Sequence, residues 1–260
     1  MARIISLINQ AGGVGKTTLT INLGFHLADR GGRVLLIDMD PQTDTTERLG
    51  YEPNILENVI SHSLFFKNPL HVFTHNSHTS NEFHESYKVD LVPTNAQLKA
   101  VSDELAQVQS KETRLRECIQ TIRSNYDFIL IDCPPSLGLL SVMSLVASTH
   151  VLIPIEMSDK GLSGAHKLGA TLKQVITKRN RHLRIAGAVP TMFDGRRLVD
   201  QTIYKAINKS FKKYEVHPPI NESTVFRQSW SAKKPLAKLF PRHQAVKSLT
   251  AIAAYLEKCD

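Results

Sequence analysis

The residues best suited to chemistry lie close to the start of the chain, in Asn9-Gln10-Ala11-Gly12-Gly13-Val14-Gly15-Lys16-Thr17-Thr18. Closely spaced glycines let successive backbone N–H groups turn inward on an anion, and a helix beginning directly after them adds the positive end of its dipole. Lys16 is a point charge long enough to reach the outer phosphates of a nucleotide, and Thr17 offers a hydroxyl to Mg²⁺. Gly12, Gly13, Val14, Gly15, Lys16, Thr17 and Thr18 are therefore the expected phosphate-binding residues. Two further stretches, Leu35-Leu36-Ile37-Asp38-Met39-Asp40-Pro41-Gln42 and Phe128-Ile129-Leu130-Ile131-Asp132-Cys133-Pro134-Pro135-Ser136, place acids directly after apolar runs. One aspartate in such a place is an ordinary loop-start cap. Three of them beside a phosphate cradle point to Mg-nucleotide chemistry at the carboxyl ends of parallel strands.

Short β-branched runs alternating with helical patterns must hold these groups in place. Strands are predicted over Ile4–Ile8, Arg33–Ile37, Val89–Val92, Phe128–Ile131, Val151–Ile155 and Ile185–Val189, and helices over Thr17–Arg30, Asn95–Gln109 and Lys111–Ser124. Fully apolar strands between helices imply an α/β fold with a mainly parallel, twisted sheet and helices on both faces. Neither a repeat nor a Pro/Gly/Ser-rich linker breaks the pattern, so residues 1–260 read as a single domain. The segment from His62 to His84 holds five of the eleven histidines among Asn, Ser and Thr. They scatter without the spacing that a zinc site needs, and 62–84 is expected to be a surface insertion.

With 42% apolar and 22% charged residues, the chain has the composition of a globular protein and excludes wholesale disorder, collagen and coiled coil. Cys118, Cys133 and Cys259 lack CxxC spacing and give no disulfide framework or zinc site, which fits a reduced, cytoplasmic protein. No apolar run approaches the ~20 residues of a bilayer-spanning helix. The formal charge of +8 is uneven: residues 171–260 carry 18 Lys and Arg against 6 Asp and Glu, and the first 170 residues are net acidic. A basic final third suggests a face for a polyanion, although an ordinary solvated surface would give the same count.

The loop lacks glycine at Gln10 for the usual eight-residue phosphate-binding pattern and instead resembles the deviant version, Lys-Gly-Gly-x-x-Lys-Ser/Thr. Together with Leu91-Val92-Pro93-Thr94-Asn95 and Pro190-Thr191-Met192-Phe193-Asp194, these motifs resemble the ParA/MinD family of deviant Walker ATPases, which are P-loop NTPases. The resemblance covers nearly the whole chain. It implies ATP and Mg²⁺ as cofactors, an ATP-dependent homodimer and slow hydrolysis stimulated by a partner. By position it assigns phosphates to Lys16 and Thr17, water-mediated metal support to Asp132, positioning of the attacking water to Asp38, and nucleotide contact to Met192.

One departure is informative. The family's first lysine, which reaches across the dimer to the partner's phosphates, is Ala11 here. Either hydrolysis is lost, or the alanine is engineered, or another cation substitutes; Lys160, just after the apolar run ending at Ile155, is the candidate. Loss of that lysine from an otherwise intact site resembles the McdA branch, which positions carboxysomes. ParA-type relatives bind DNA without sequence preference once dimerised, and Arg197, Arg227, Lys233 and Lys234 are the candidate contacts here. Phe226 and Trp230 read as core or interface residues. The C-terminal stripe Val246, Leu249, Ile252, Ala253 and Leu256 is small for a MinD-like membrane helix, so no membrane partner is expected.

The expected function is thus an ATP-dependent positioning protein that dimerises on Mg-ATP, binds nonspecific nucleoid DNA and is released by adaptor-stimulated hydrolysis. An McdB-type adaptor would couple it to carboxysomes, and a ParB-type adaptor would go with plasmid or chromosome partition. A non-hydrolysing, ATP-locked DNA-binding dimer is the further alternative.

Overall fold

The apolar runs form strands as expected, and the elements follow in a βα order. The computed structural model describes residues 2–74 and 87–259. Within them lie β1 (Arg3–Leu7), α1 (Lys16–Asp29), β2 (Val34–Asp38), α2 (Asp44–Arg48), α3 (Ile60–Phe66), β3 (Asp90–Val92), α4 (Gln97–Leu105), α5 (Arg114–Gln120) and β4 (Phe128–Asp132). The chain continues through α6 (Leu139–Ala147), β5 (His150–Glu156), α7 (Asp159–Lys178), β6 (Arg184–Phe193), α8 (Leu198–Ser210), β7 (Ile220–Asn221), α9 (Val225–Ser231), α10 (Leu236–Leu239) and α11 (Gln244–Leu256). Among the described residues the sheet has seven strands in the order β3-β2-β4-β1-β5-β6-β7. Every neighbouring pair is parallel, with Asp38 of β2 level with Asp132 of β4 and Leu7 of β1 level with the same Asp132.

Side chains alternate across the sheet, so each strand feeds two cores. Ile4, Leu35, Ile37, Ile129 and Ile131 pack with α3 to α8 on one face. Ile5, Leu7, Leu36, Phe128 and Leu130 pack with α1, α10 and α11 on the other. The central strands are therefore buried on both sides, which is why they carry no polar face. Helix α11 spends its apolar stripe on this second core: Val246, Leu249, Ile252, Ala253 and Leu256 are all buried. No described helix is long and apolar enough to cross a membrane.

Several expectations shift. Asn95 Oδ1 accepts from the Gln97 backbone N–H at 3.1 Å, so α4 starts later than predicted. The helix expected over Lys111–Ser124 is α5 flanked by 3₁₀ turns at Lys111–Thr113 and Arg123–Asn125. Two-residue β7 follows β6 and was not foreseen. In the described part of the 62–84 segment, His62, residues 65–69 and His71 are exposed, while Ser63, Leu64 and Leu70 are buried and anchor it to the core. The Arg114 guanidinium donates to the Leu64 and Phe65 carbonyls at 2.9 and 2.8 Å, closing the C-terminal end of α3 against α5. Residues 75–84, with His75, His78 and His84, lie outside the described residues.

Candidate active site

Loops after β1, β2, β4 and β6 meet at the carboxyl edge of the sheet. The chain leaves β1 for α1 on one face and β5 for α7 on the other, so a crevice opens between them, the usual ligand position in open α/β sheets. Gly13 and Gly15 have φ of +82° and +88°, which a side chain would strain, and they turn the loop into the first turn of α1. Buried Asn9 fixes the loop from below: its Nδ2 donates to the Pro154 carbonyl at 2.7 Å and its Oδ1 accepts from the Ala11 N–H at 3.0 Å. From the other side, the Thr191 hydroxyl donates to the Val14 carbonyl at 2.9 Å. The next residue, Met192, holds φ +55° where the β6–β7 register shifts, a strained backbone at the crevice wall.

Lys16 is 7% exposed, and its Nζ donates to the Ala11 carbonyl at 3.2 Å. Burial lowers its pKa, and the carboxylates of Asp132 and Asp40 oppose that shift. Asp132 Oδ2 accepts from Thr17 Oγ1 at 2.6 Å and from Thr45 Oγ1 at 2.7 Å. Its Oδ1 is buried with no hydrogen-bond partner. Burial pushes the Asp132 carboxyl up to about 6, against the pull of its threonine hydrogen bonds. An orphaned carboxylate oxygen beside two hydroxyls is a hard-oxygen donor set that fits Mg²⁺. Among the described residues no cluster of three or more His, Cys, Asp or Glu forms an all-protein metal cage.

Asp38, the last residue of β2, is the next acid of the crevice. It is 0% exposed, and both carboxylate oxygens are engaged. Oδ1 accepts from the Asp40 N–H at 3.1 Å, while Oδ2 accepts from the Thr46 N–H at 3.0 Å and the Thr46 hydroxyl at 2.7 Å. The Thr46 hydroxyl in turn accepts from the Thr94 N–H at 3.0 Å. Burial and the nearby Asp132 charge raise the Asp38 pKa well above the usual carboxylate range. Such a group braces the loop over residues 40–46. Asp40 is less enclosed, uses Oδ1 for the Gln42 N–H at 3.0 Å, and interacts electrostatically with Lys16.

A cavity of about 950 Å³ continues from the loop, lined by Gly15, Thr18, Met192, Phe226 and Arg227 among others. Two exposed ion pairs stand on its wall: Arg196 grips Asp194 through two bonds of 2.9 and 2.8 Å, and Arg197 Nη1 donates to Glu222 at 3.0 Å. The Arg196 guanidinium holds the Asp194 carboxyl well below its ordinary pKa. The four basic candidates therefore separate. Arg197 and Arg227 line this cavity, with the Arg197 charge paired, whereas Lys233 and Lys234 are exposed in the turn after α9. Lys160 is exposed in the first turn of α7. One turn later, Gly164 meets the loop so closely that a Cβ there would lie 2.3 Å from Asn9 Oδ1 and 3.0 Å from the Ala11 nitrogen. Spacing alone missed Asn9, Thr45, Thr46 and Thr191; only the Thr-rich stretch after Gln42 hints at the first two threonines of that group.

A parallel sheet with this phosphate loop, a buried lysine and a hydroxyl–carboxylate pair defines a P-loop NTPase of the deviant Walker type. The family model described as an AAA domain matches residues 2–185. The sporulation initiation inhibitor protein Soj of Bacillus subtilis is 36% identical over 93% of each chain. The chromosome partitioning protein ParA of Myxococcus xanthus is 32% identical over 100% of this chain and 89% of its own. Apo McdA of Cyanothece has the same fold, with a TM-score of 0.87 over 98% of this chain and 100% of that one at 22% identity. The chain belongs to the ParA family of ATPases.

Proposed function

We propose that this ATPase binds Mg-ATP in the crevice, dimerises across it, and in that state holds nonspecific DNA until an adaptor stimulates hydrolysis, so that a bound cargo is moved over the nucleoid. The observation that carries the reading is the convergence of Lys16, Thr17, Asp40 and Asp132 on one carboxyl-edge crevice. Lys16 and the loop N–H groups would hold the phosphates, and Thr17 and Asp132 would hold the ion, which supplies charge neutralisation for phosphoryl transfer. Asp40, rather than Asp38, has the position to orient the attacking water. Lys160, one turn before the Gly164 that meets the loop at Ala11, would supply across the dimer the cation that Ala11 lacks. Met192 and its neighbours would contact the nucleoside.

For DNA, the support is the basic final third and the exposed Lys233 and Lys234, since phosphate contacts with counterion release need number of charges more than base readers. Two cargoes have specific support. The alanine at position 11 favours the McdA reading, with carboxysomes and an McdB-type adaptor. The 32% identity to the chromosome partitioning protein ParA of Myxococcus xanthus favours plasmid or chromosome partition with a ParB-type adaptor.

The test is binding to random-sequence DNA at two salt concentrations with ATP, ADP or no nucleotide, with phosphate release recorded in parallel. ATP-dependent binding that weakens steeply with salt, together with turnover, is expected. ATP-independent or absent binding would sink the nucleoid reading, and ATP-dependent binding without turnover would select the locked dimer. Pull-down with purified McdB-type and ParB-type adaptors then separates the two cargoes.

A further inference from the structure

Arg48, the last residue of α2, stands between the phosphate-loop helix and the basic C-terminal segment. Its Nη1 donates to Thr18 Oγ1 at 3.3 Å, and its Nη2 lies 3.6 Å from Asp44 Oδ1. Its guanidinium carbon sits 5.2 Å from the centre of the Trp230 ring in α9. An arginine can make all three contacts at once because its edge donates while its flat face stacks. Trp230 in turn stacks on buried Tyr87, with ring centres 6.4 Å apart and planes 23° from parallel. Ser229, the neighbour of Trp230 in α9, donates its hydroxyl to the Lys234 carbonyl at 2.6 Å. Contacts thus run without a gap from Thr18, which lines the cavity, to the turn that carries Lys233 and Lys234.

A second observation brings α9 to the same place. Phe226 and Arg227, one turn before Trp230, line the cavity that Thr18 lines. Residues 226 and 230 share a helix face, so a ligand touching Phe226 and a shift of Arg48 at Trp230 act on the same side of α9.

We propose that Arg48 is a positioning residue that couples occupancy of the nucleotide site at Thr18 to the setting of α9, with Trp230 registering the change. This rests on the nucleotide reading above and adds to it a residue outside the reacting groups. Engagement of the Thr18 hydroxyl by a nucleotide alters the acceptor on which Arg48 is anchored, and the cation shifts over the indole.

Trp230 is the one tryptophan of the chain, so its emission reads this contact directly. The full chain is titrated with Mg-ATP and Mg-ADP without DNA, and binding is followed in parallel by calorimetry. An emission change that saturates with binding is expected in the wild type, most of it lost in Arg48→Met and part of it kept in Arg48→Lys. Arg48→Gln, with the same expected loss, replaces Arg48→Met if that variant loses its cooperative melt. Calorimetric binding with unchanged emission, or wild-type emission changes in both neutral variants, overturns the coupling and leaves the nucleotide site standing. Absence of calorimetric binding overturns the nucleotide reading and this inference together. In a second arm, the ratio of DNA affinities with ATP and ADP is expected to fall by about 2- to 30-fold in Arg48→Met, the range one cation–π contact supports. An unchanged ratio overturns the link to the DNA surface.

Discussion

The two sides of the crevice are built in opposite ways. On the metal side, Thr17, Asp38, Thr45, Thr46 and Asp132 come from four elements and meet in a network of bonds between 2.6 and 3.1 Å, with the Asp38 and Asp132 carboxylates buried. On the nucleoside side, the wall is made of exposed pairs, Asp194 with Arg196 and Arg197 with Glu222. A buried polar network is costly to break and so fixes geometry, whereas exposed pairs contribute little and break readily. On the proposed function, the side that would place charge in a transition state is rigid, and the side through which a base would enter is held by contacts that can open.

The largest effect that sharpens this contrast should come from Asp40→Ala. Phosphate release is expected to fall by about 10²- to 10⁴-fold, as for loss of a positioned proton acceptor, with nucleotide binding retained. Asp38→Asn should instead lower the melting temperature. An equal loss of turnover in Asp38→Asn with an unaltered melt would return the water-positioning role to Asp38.

The next effect is on pH. Burial raises the Asp132 carboxyl to about 6, so the ligand-free folded chain holds that proton more tightly than the unfolded chain. Its contribution to stability grows as pH falls through about 6 and is lost as pH rises. An ion must displace the proton, so Mg²⁺ affinity in the nucleotide complex should fall by about tenfold per unit on the acid side. Calorimetric titrations between pH 5 and 7, a range on the order of one unit either side of the shifted value, check this; a flat profile removes Asp132 from the metal site.

Smaller again is Thr46→Val, which leaves Asp38 Oδ2 and the Thr94 N–H short of a partner and should cost about 1–3 kcal/mol in denaturant melts. Arg197→Ala, on the open side, should cost less than about 1 kcal/mol. If the two losses came out equal, the contrast between a rigid and a yielding side would fail.

Much of this was legible because the chemistry and the strands share short stretches. The phosphate loop, Asp132 and six of the strands follow from local patterns: glycine spacing, apolar runs and acids at their ends. Asp38 and Asp40 could not be told apart that way, since both follow β2 and only the fold shows that Thr46 returns to occupy Asp38. Asn9 and Thr191 act on the loop through partners 145 and 177 residues away, a separation no local pattern reports. Strand β7 has two residues, too few to show alternation. In residues 62–74 the buried anchors Leu64 and Leu70 sit among exposed residues, so no continuous apolar pattern marks them in the sequence.

The margins of the sheet bear on how such a chain tolerates crowding. Both outer strands are very short: β3 has three residues and β7 two. At β3, Phe73 already exchanges backbone bonds with Leu91 at 2.8 and 2.9 Å, and β7 is entered through Pro218-Pro219, which have no N–H to offer. A passing strand finds little to pair with on either flank. Copies at high local concentration therefore have little edge through which to zip into fibres at either described flank of the sheet.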